Sequence, residues 1–160
     1  MTTTHEDYLE TTLHLQRRLG PDRVRITDIA NALGTRLPTV SRTVRRLTEL
    51  GLISHQVRGV VRLTERGRTV AQEIDHRHND LVAFFRRVLG LSAEVAESDT
   101  CQIEHGLSAI SAQRLHEFME FFQRLGAGER ELFARFQRQA GDAADAFNNL
   151  PDTRTAGWRK

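Results

Sequence analysis

Residues 26–50 read ITDIANALGTRLPTVSRTVRRLTEL, a stretch that predicts two short helices joined by a tight turn. The first helix begins at Ile26 and ends at Gly34, since glycine commonly closes a helix in the left-handed conformation. Residues 35–37 form the turn. Pro38 suits the first position of the second helix, which runs to Leu50 and is closed by Gly51.

The second of these helices has two chemically different faces. Val40, Val44 and Leu47 share an apolar face, whereas arginine and hydroxyl side chains occupy the opposite one. Arginine can bind guanine through two hydrogen bonds or neutralise a phosphate, and hydroxyl groups bond to phosphate oxygens. The pair therefore predicts a helix-turn-helix motif that places its second helix in the major groove of DNA.

Segments on both sides extend this motif. Residues 5–19 predict a helix that ends at Gly20, and residues 52–64 predict a hairpin around the turn at 57–59. Three helices followed by a hairpin is the order of a winged helix-turn-helix. The alternative is a helical bundle that does not bind DNA. The residues predicted to contact DNA are Arg36, Pro38, Thr39, Ser41, Arg42, Arg45, Arg46 and Arg58.

Charge is distributed unevenly along the chain. Residues 36–68 hold eight arginines against two glutamates, and residues 91–150 hold ten acidic residues against five arginines. A basic block beside an acidic one is typical of a nucleic-acid-binding module joined to a different module. The alternative is that the arginines only solvate helix faces.

Bulk composition limits the class of protein. A chain of 160 residues forms one or two small domains and can bury a core without disulfides. We find no apolar run of about 20 residues for a membrane span and no signal-peptide pattern. A single cysteine cannot form an internal disulfide and fits a reducing compartment. We predict a cytoplasmic location.

The second half of the chain predicts helices throughout. The first spans residues 65–89, and a second begins after Ser92 as its N-cap. A further helical stretch surrounds residue 101, and two more helices cover residues 111–125 and 129–147. The apolar face of residues 111–125 fits a core or a dimer surface. The tail, 151–160, is predicted to be disordered.

Residues with metal-binding side chains recur at helical spacing. Asp7 and Glu10 are three apart, and a cysteine, a glutamate and a histidine follow an i, i+3, i+4 pattern, so each group can share one helix face. A further histidine stands within the apolar face of residues 65–89. Thiolate, imidazole and carboxylate together suit a divalent transition metal. The six predicted ligands are Asp7, Glu10, His78, Cys101, Glu104 and His105.

Each ligand type also has an ordinary structural explanation. Acidic residues are favourable near the start of a helix, as at Asp7 and Glu10. A buried histidine such as His78 commonly bonds to another core group, and a free cysteine such as Cys101 is commonly a small core residue. These alternatives remain open on the residues alone.

The sequence resembles the metal-dependent repressors that include the diphtheria toxin repressor, its iron-dependent relatives and the manganese transport regulator. The resemblance covers roughly residues 5–125, in a short form without the SH3-like domain. The matching elements are Glu6-Asp7-Tyr8-Leu9-Glu10, Pro38-Thr39-Val40-Ser41, Leu63-Thr64-Glu65-Arg66-Gly67, His78 ahead of Gly90, and Cys101-x-x-Glu104-His105-x-Leu-Ser108.

Carried over residue by residue, the resemblance implies a hybrid site. Asp7 and Glu10 match ligands of the manganese branch, and Cys101 matches the iron branch. His78 and the pair Glu104 and His105 match both branches. Val82 and Glu97 depart from the iron branch, so its complete ancillary site is not expected. Whether Glu97 or His14 joins the site stays open.

These features together predict a mainly α fold: a winged helix-turn-helix over residues 1–70 and an all-helical metal-binding and dimerisation domain over 71–150. The resemblance implies a homodimeric repressor that binds double-stranded operator DNA and controls iron or manganese homeostasis genes. Fe(II) is the favoured metal, then Mn(II), with Zn(II) and Co(II) also compatible. Two rival hypotheses are a winged-helix regulator with a non-metal effector and a metallohydrolase using Glu104. We predict no enzymatic activity.

Overall fold

The computed structural model describes residues 3–55 and 59–147. Contacts divide the chain into two compact units, Met1–Asn79 and Asp80–Lys160. The predicted mainly α fold is confirmed, with one small sheet. The elements are α1 (Thr3–Leu19), α2 (Ile26–Leu33), α3 (Leu37–Glu49), β1 (Ile53–His55), β2 (Val61–Leu63), α4 (Glu65–Ala83), α5 (Ala93–Ile103), α6 (Ala109–Arg124) and α7 (Ala127–Phe147).

Three helices and a hairpin enclose the core of the first unit. Leu9 of α1, Ile29 of α2 and Val44 of α3 have no exposed side-chain surface. The two strands are antiparallel, with Ile53 opposite Leu63, and together with α1–α3 they form the predicted winged helix-turn-helix. The apolar face predicted for α3 is the buried one.

Glycines end the helices of this unit where they were predicted. Gly34 has φ 59° after α2, and Gly51 has φ 70° after α3, both in the left-handed region that glycine tolerates. The helix α3 begins at Leu37, one residue before the predicted start, so Pro38 is its second residue. Arg36 is the N-cap residue.

The start of α4 passes very close to the hairpin. The hydroxyl of Thr64 donates to the carbonyl oxygen of Gly51 at 2.7 Å and accepts from the backbone nitrogen of Gly67 at 3.0 Å. A Cβ at Gly67 would lie 1.8 Å from the carbonyl oxygen of Leu52. This approach explains why glycine follows Leu63-Thr64-Glu65-Arg66 at the junction.

Aromatic side chains organise the core of the second unit. Met119 and Phe122 of α6 are buried together with Val88. The rings of Phe122 and Phe133 meet edge to face with centroids 5.0 Å apart. Several large apolar side chains of this unit nevertheless remain exposed, among them Ile110, Phe121, Leu132 and Phe136.

The predicted continuous helix over residues 65–89 is wrong in its last turns. The α-helical part ends at Ala83, and Phe84–Val88 forms a π-helical segment. The backbone nitrogen of Leu89 donates to the carbonyl oxygen of Phe84, five residues earlier, at 3.2 Å. Sequence periodicity does not distinguish this wider turn from an α-helix.

Other predicted boundaries in the second unit also shift. Ser92 caps α5 as predicted, accepting from the backbone nitrogen of Val95. The two helical stretches expected from Ser92 to residue 105 are one helix that ends at Ile103, followed by a 3₁₀ turn, Glu104–Gly106. The next helix begins at Ala109 rather than 111, because the Ser108 hydroxyl accepts from the nitrogen of Ser111 at 3.1 Å.

The final helix begins at Ala127, two residues before the prediction. The carboxylate of Glu129 accepts from the backbone nitrogen of Gly126 at 2.8 Å, which satisfies a free donor ahead of the helix. The predicted disordered tail, 151–160, lies outside the described residues. Within the residues that are described, no helix is long and apolar enough to cross a membrane.

Candidate nucleic-acid interface and metal ligands

The polar face of α3 is open to solvent. Every residue predicted to contact DNA from this helix or its N-cap is exposed. Arg46 pairs with Glu49 at 2.9 Å, whereas no ion pair involving Arg42 or Arg45 occurs in the described part of the chain. Arg58 lies outside the described residues. The exposed set is Arg36, Pro38, Thr39, Ser41, Arg42, Arg45 and Arg46.

One residue of this surface was missed by sequence reasoning. Leu37, the first residue of α3, is an exposed apolar side chain beside Pro38 and Thr39. Its assignment to the turn concealed it. An apolar group at this end of a recognition helix can contact the methyl group of thymine. Arg62 lies in strand β2 of the hairpin and pairs with Asp22 at 2.8 Å.

The helix α1 presents its carboxylates beside its core face. Tyr8 and Leu9 are buried, while Asp7 and Glu10 are half-buried. Within the same unit, Glu6 pairs with Arg77 of α4 at 2.6 Å. The same helix α4 carries His78, which is half-buried as well.

A second set of polar contacts between α1 and α4 is centred on Asp75. This buried carboxylate contacts Nε2 of His14 at 2.6 Å and accepts from Arg17 at 2.8 Å. Burial raises the pKa of Asp75, but the hydrogen bonds from His14 and Arg17 and their positive charge outweigh it, so its pKa lies below its ordinary value.

Glu10 lies beside these contacts of Asp75. One ligand atom each from Glu10, His14 and Asp75 can be chosen so that all three lie within 4.8 Å of one another. Sequence reasoning left His14 open and missed Asp75. The available signal was the position of Asp75 at the margin of the apolar face of α4, one helical turn before His78.

The remaining predicted ligands lie in the second unit at the end of α5. Cys101 is exposed in the last turn, so the alternative of a core cysteine does not hold. Glu104 is only 3% exposed and its Oε1 lies 3.5 Å from Nε2 of His105. Glu104 and His105 belong to the 3₁₀ turn after α5, and ligand atoms of Cys101 and Glu104 lie within 4.8 Å of each other.

This donor chemistry fits a divalent transition metal. Cys101 offers a soft thiolate, His105 an imidazole nitrogen and Glu104 a carboxylate, within five consecutive residues. Within the first unit, Asp7 and Glu10 carry hard oxygen donors and His78 carries an imidazole. Glu97, which the resemblance left open, is exposed.

Comparison with known proteins identifies the chain. A family described as "Iron dependent repressor, N-terminal DNA binding domain" matches residues 1–61, and "Iron dependent repressor, metal binding and dimerisation domain" matches 64–131. The transcriptional regulator MntR of Escherichia coli is 38% identical over 122 residues, which cover 76% of this chain and 75% of that protein. This chain belongs to the iron-dependent repressor family. It is a metal-dependent transcriptional repressor.

Further similar proteins agree with this assignment. The regulator MntR of Bacillus subtilis is 32% identical over 132 residues, covering 82% of this chain and 90% of that protein. The structure of the manganese regulator SloR superposes with a TM-score of 0.64 at 25% identity. That match covers 76% of this chain and 55% of the SloR chain, so this repressor spans about half of SloR.

Proposed function

We propose that this repressor is activated by a divalent metal ion held by Asp7, Glu10, His78, Cys101, Glu104 and His105. The chemistry of the six donors supports the proposal, as does their match to the ligand positions of the resembling family. Glu104 is buried and its carboxylate lies 3.5 Å from the His105 ring, so these two donors are close together. When bound, the metal supplies a cross-link between these side chains.

The packing of α1 is the single observation that carries the link to DNA. On one side, α1 places Leu9 and Leu13 in the core that also contains Val40 and Val44 of α3. Beside that core face it carries the half-buried carboxylates of Asp7 and Glu10. A restraint on these carboxylates is therefore a restraint on the position of the recognition helix.

DNA binding completes the proposal. Two recognition helices of a homodimer would contact a palindromic operator at half-sites about 34 Å apart. We assign the contacts to Arg36, Pro38, Thr39, Ser41, Arg42, Arg45, Arg46 and Arg58, with Leu37 added from its exposure. We further propose that the targets are metal-uptake genes, that the protein works in the cytoplasm and that it has no enzymatic activity. The domain boundary near residue 70 stays a prediction.

The ligand types favour Fe(II), followed by Mn(II), with Zn(II) and Co(II) also accepted. Carboxylates such as Asp7 and Glu10 suit Mn(II) and Fe(II), whereas a thiolate from Cys101 shifts preference toward Fe(II), Co(II) and Zn(II). Two similar solved structures, a manganese regulator and a manganese-dependent transcriptional repressor, support Mn(II) as the second choice.

Fluorescence anisotropy tests the proposal with a DNA duplex selected from a random pool by the metal-loaded protein. Affinity is measured with Fe(II) under anaerobic conditions, with Mn(II), with Zn(II) and with chelator. A metal-linked coupling of about 1–3 kcal/mol corresponds to roughly five- to 150-fold tighter binding. The variants Glu104→Ala and His105→Ala should lose this gain, and Glu94→Ala, an exposed acid of α5, should retain it.

The alternative hypothesis, a winged-helix regulator with a non-metal effector, predicts that metal does not change the affinity for DNA. If metal leaves the affinity of the parent protein unchanged, or if Glu104→Ala and His105→Ala keep the full gain while folded, the proposed site is refuted. Metal analysis of the purified protein gives an independent check. Circular dichroism confirms that each variant retains its helices.

A further inference from the structure

A cleft of about 420 Å³ opens within the second unit, apart from every residue assigned above to metal or DNA. Its walls come from the π-helical segment Phe84–Val88, from the end of α6 and from α7. The lining residues are Arg86, Arg87, Phe122, Gln123, Arg130 and Gln137.

The cleft concentrates positive charge. Arg86, Arg87 and Arg130 all line it and are exposed. Among the described residues of this unit, ion pairs engage the arginines at 114, 124 and 138, and none engages the three of the cleft. A cleft lined by charges of one sign attracts counter-ions and repels cations, so this feature cannot be another metal site.

Side-chain hydrogen bonds to backbone carbonyls connect the walls of the cleft. The side-chain amide of Gln137 donates to the carbonyl oxygens of Arg87 at 2.7 Å and Val88 at 3.2 Å, which satisfies acceptors at the end of the π-helical segment. Gly90, with φ 77°, makes room for this amide, because a Cβ there would lie 2.8 Å from Cγ of Gln137. Arg130 donates to the carbonyl oxygen of Gln123 at 2.6 Å, which places its guanidinium across α6.

We propose that this cleft binds a small phosphorylated anion. Its volume lies within the range of small-molecule sites, about 300–1,000 Å³. Guanidinium groups bind phosphate oxygens through paired, charge-assisted hydrogen bonds, and three of them match a multiply charged group such as a diphosphate. The buried ring of Phe122 supplies an apolar wall for the uncharged part of such a molecule.

Isothermal titration with pyrophosphate as the probe tests the proposal. The full-length protein is stripped of metal with chelator and dialysed first, because pyrophosphate itself binds divalent ions. We expect Arg86→Gln and Arg130→Gln each to weaken binding about tenfold, the loss expected for a hydrogen bond to a charged group. Arg130→Lys, which keeps the charge but lacks the planar fork, should give an intermediate loss.

The matched control is Arg138→Gln, an exposed residue of α7 that pairs with Glu131. It should change the affinity by less than about twofold, as expected for an exposed ion pair. Absence of binding by the parent protein, or an equal loss in the control, would overturn the proposal. So would equal or tighter binding of citrate, which indicates a polycarboxylate site. If the double variant Arg86→Gln/Arg130→Gln lost operator affinity but still bound pyrophosphate, these two arginines would be DNA contacts and the proposal would be wrong.

Because the titration uses metal-free protein and no DNA, its result is independent of the proposed metal activation. Thermal unfolding of each variant shows whether the protein remains folded. If a glutamine variant does not fold, the Arg130→Lys variant decides the outcome, since an affinity equal to that of the parent contradicts the role of the guanidinium fork.

Discussion

Replacing Asp75 by asparagine should measurably destabilise the first unit. The substitution keeps the shape of the side chain but removes the negative charge that joins α1 to α4. In the parent protein this carboxylate contacts His14 at 2.6 Å and Arg17 at 2.8 Å, and its side chain is 8% exposed. The side chains of His14 and Arg17 are about half exposed, at 51% and 52%.

The size of the effect follows from these contacts. A hydrogen bond to a charged group contributes about 1.5–3 kcal/mol when it is shielded, and an exposed ion pair contributes about 0.2–1 kcal/mol. The contribution of the Asp75 contacts should lie between these limits, because Asp75 is buried whereas His14 and Arg17 are about half exposed. An asparagine oxygen can still accept one hydrogen bond. We therefore expect Asp75→Asn to lower the free energy of unfolding by about 1–2 kcal/mol at pH 7.

The effect should depend on pH in one direction. Because the pKa of Asp75 is lower in the folded state than its ordinary value of 3.8, the charged form stabilises the fold above that value. This stabilisation is lost as pH falls through the lowered folded pKa. The difference between parent and variant should thus stay constant from neutral pH to about pH 5 and shrink at more acidic pH.

Urea unfolding of the metal-free protein, followed by circular dichroism between pH 7 and pH 3, measures this difference. Glu73→Gln is the matched control, since it removes an exposed carboxylate from the same helix. We expect it to change stability by less than about 0.5 kcal/mol. The reasoning fails if Asp75→Asn behaves like this control at pH 7, or if its deficit grows as the pH falls.

Three further perturbations test separate parts of the molecule. Gly67→Ala should destabilise the protein by about 2 kcal/mol or more in urea unfolding, because the new Cβ overlaps the carbonyl oxygen of Leu52. Arg42→Ala should weaken operator binding about five- to 150-fold in anisotropy titrations, the cost of a lost base or phosphate contact. His116→Gln should reduce stability at pH 6 but not at pH 9, because the hydrogen bond to Asp80 raises the pKa of His116 above 6.5 and its stabilisation disappears as pH rises through that pKa.

Matched substitutions accompany these experiments. Gly128→Ala has no neighbour within 4 Å of the new Cβ and should leave stability unchanged or improved. Arg114→Ala, exposed in the second unit, should leave operator affinity near that of the parent. A destabilised Gly128→Ala, a weakened Arg114→Ala, or a loss at pH 9 equal to that at pH 6 in His116→Gln would contradict the respective explanations.

Much of the first unit was predictable because its signals are local. The apolar spacing of Val40, Val44 and Leu47 defines one face of a helix whatever it packs against. Gly34 and Gly51 adopt the left-handed conformation that ends helices, a preference of the residue itself. The ligand types were also visible from spacing, although their role as a metal site remains a proposal.

The second unit was less predictable where hydrogen bonding departs from the α-helix. The π-helical turn after Ala83 and the 3₁₀ turn at Glu104 preserve the apolar pattern approximately, so periodicity does not reveal them. At the π-helical turn, Gln137 donates to the carbonyls of Arg87 and Val88, contacts that join residues about 50 positions apart in sequence.

The local sequence determines the order of the helices and strands and the position of the recognition helix, because helix caps, turns and periodicity act over a few residues. The environment of each polar group is decided only when distant segments pack. Asp75 is a carboxylate on a helix margin until α1 covers it and brings His14 and Arg17 to its oxygens. Arginines that are scattered in sequence become one basic cleft only when α6 and α7 meet the π-helical segment. Burial, pKa and charge density depend on neighbours in space, and no local pattern encodes them.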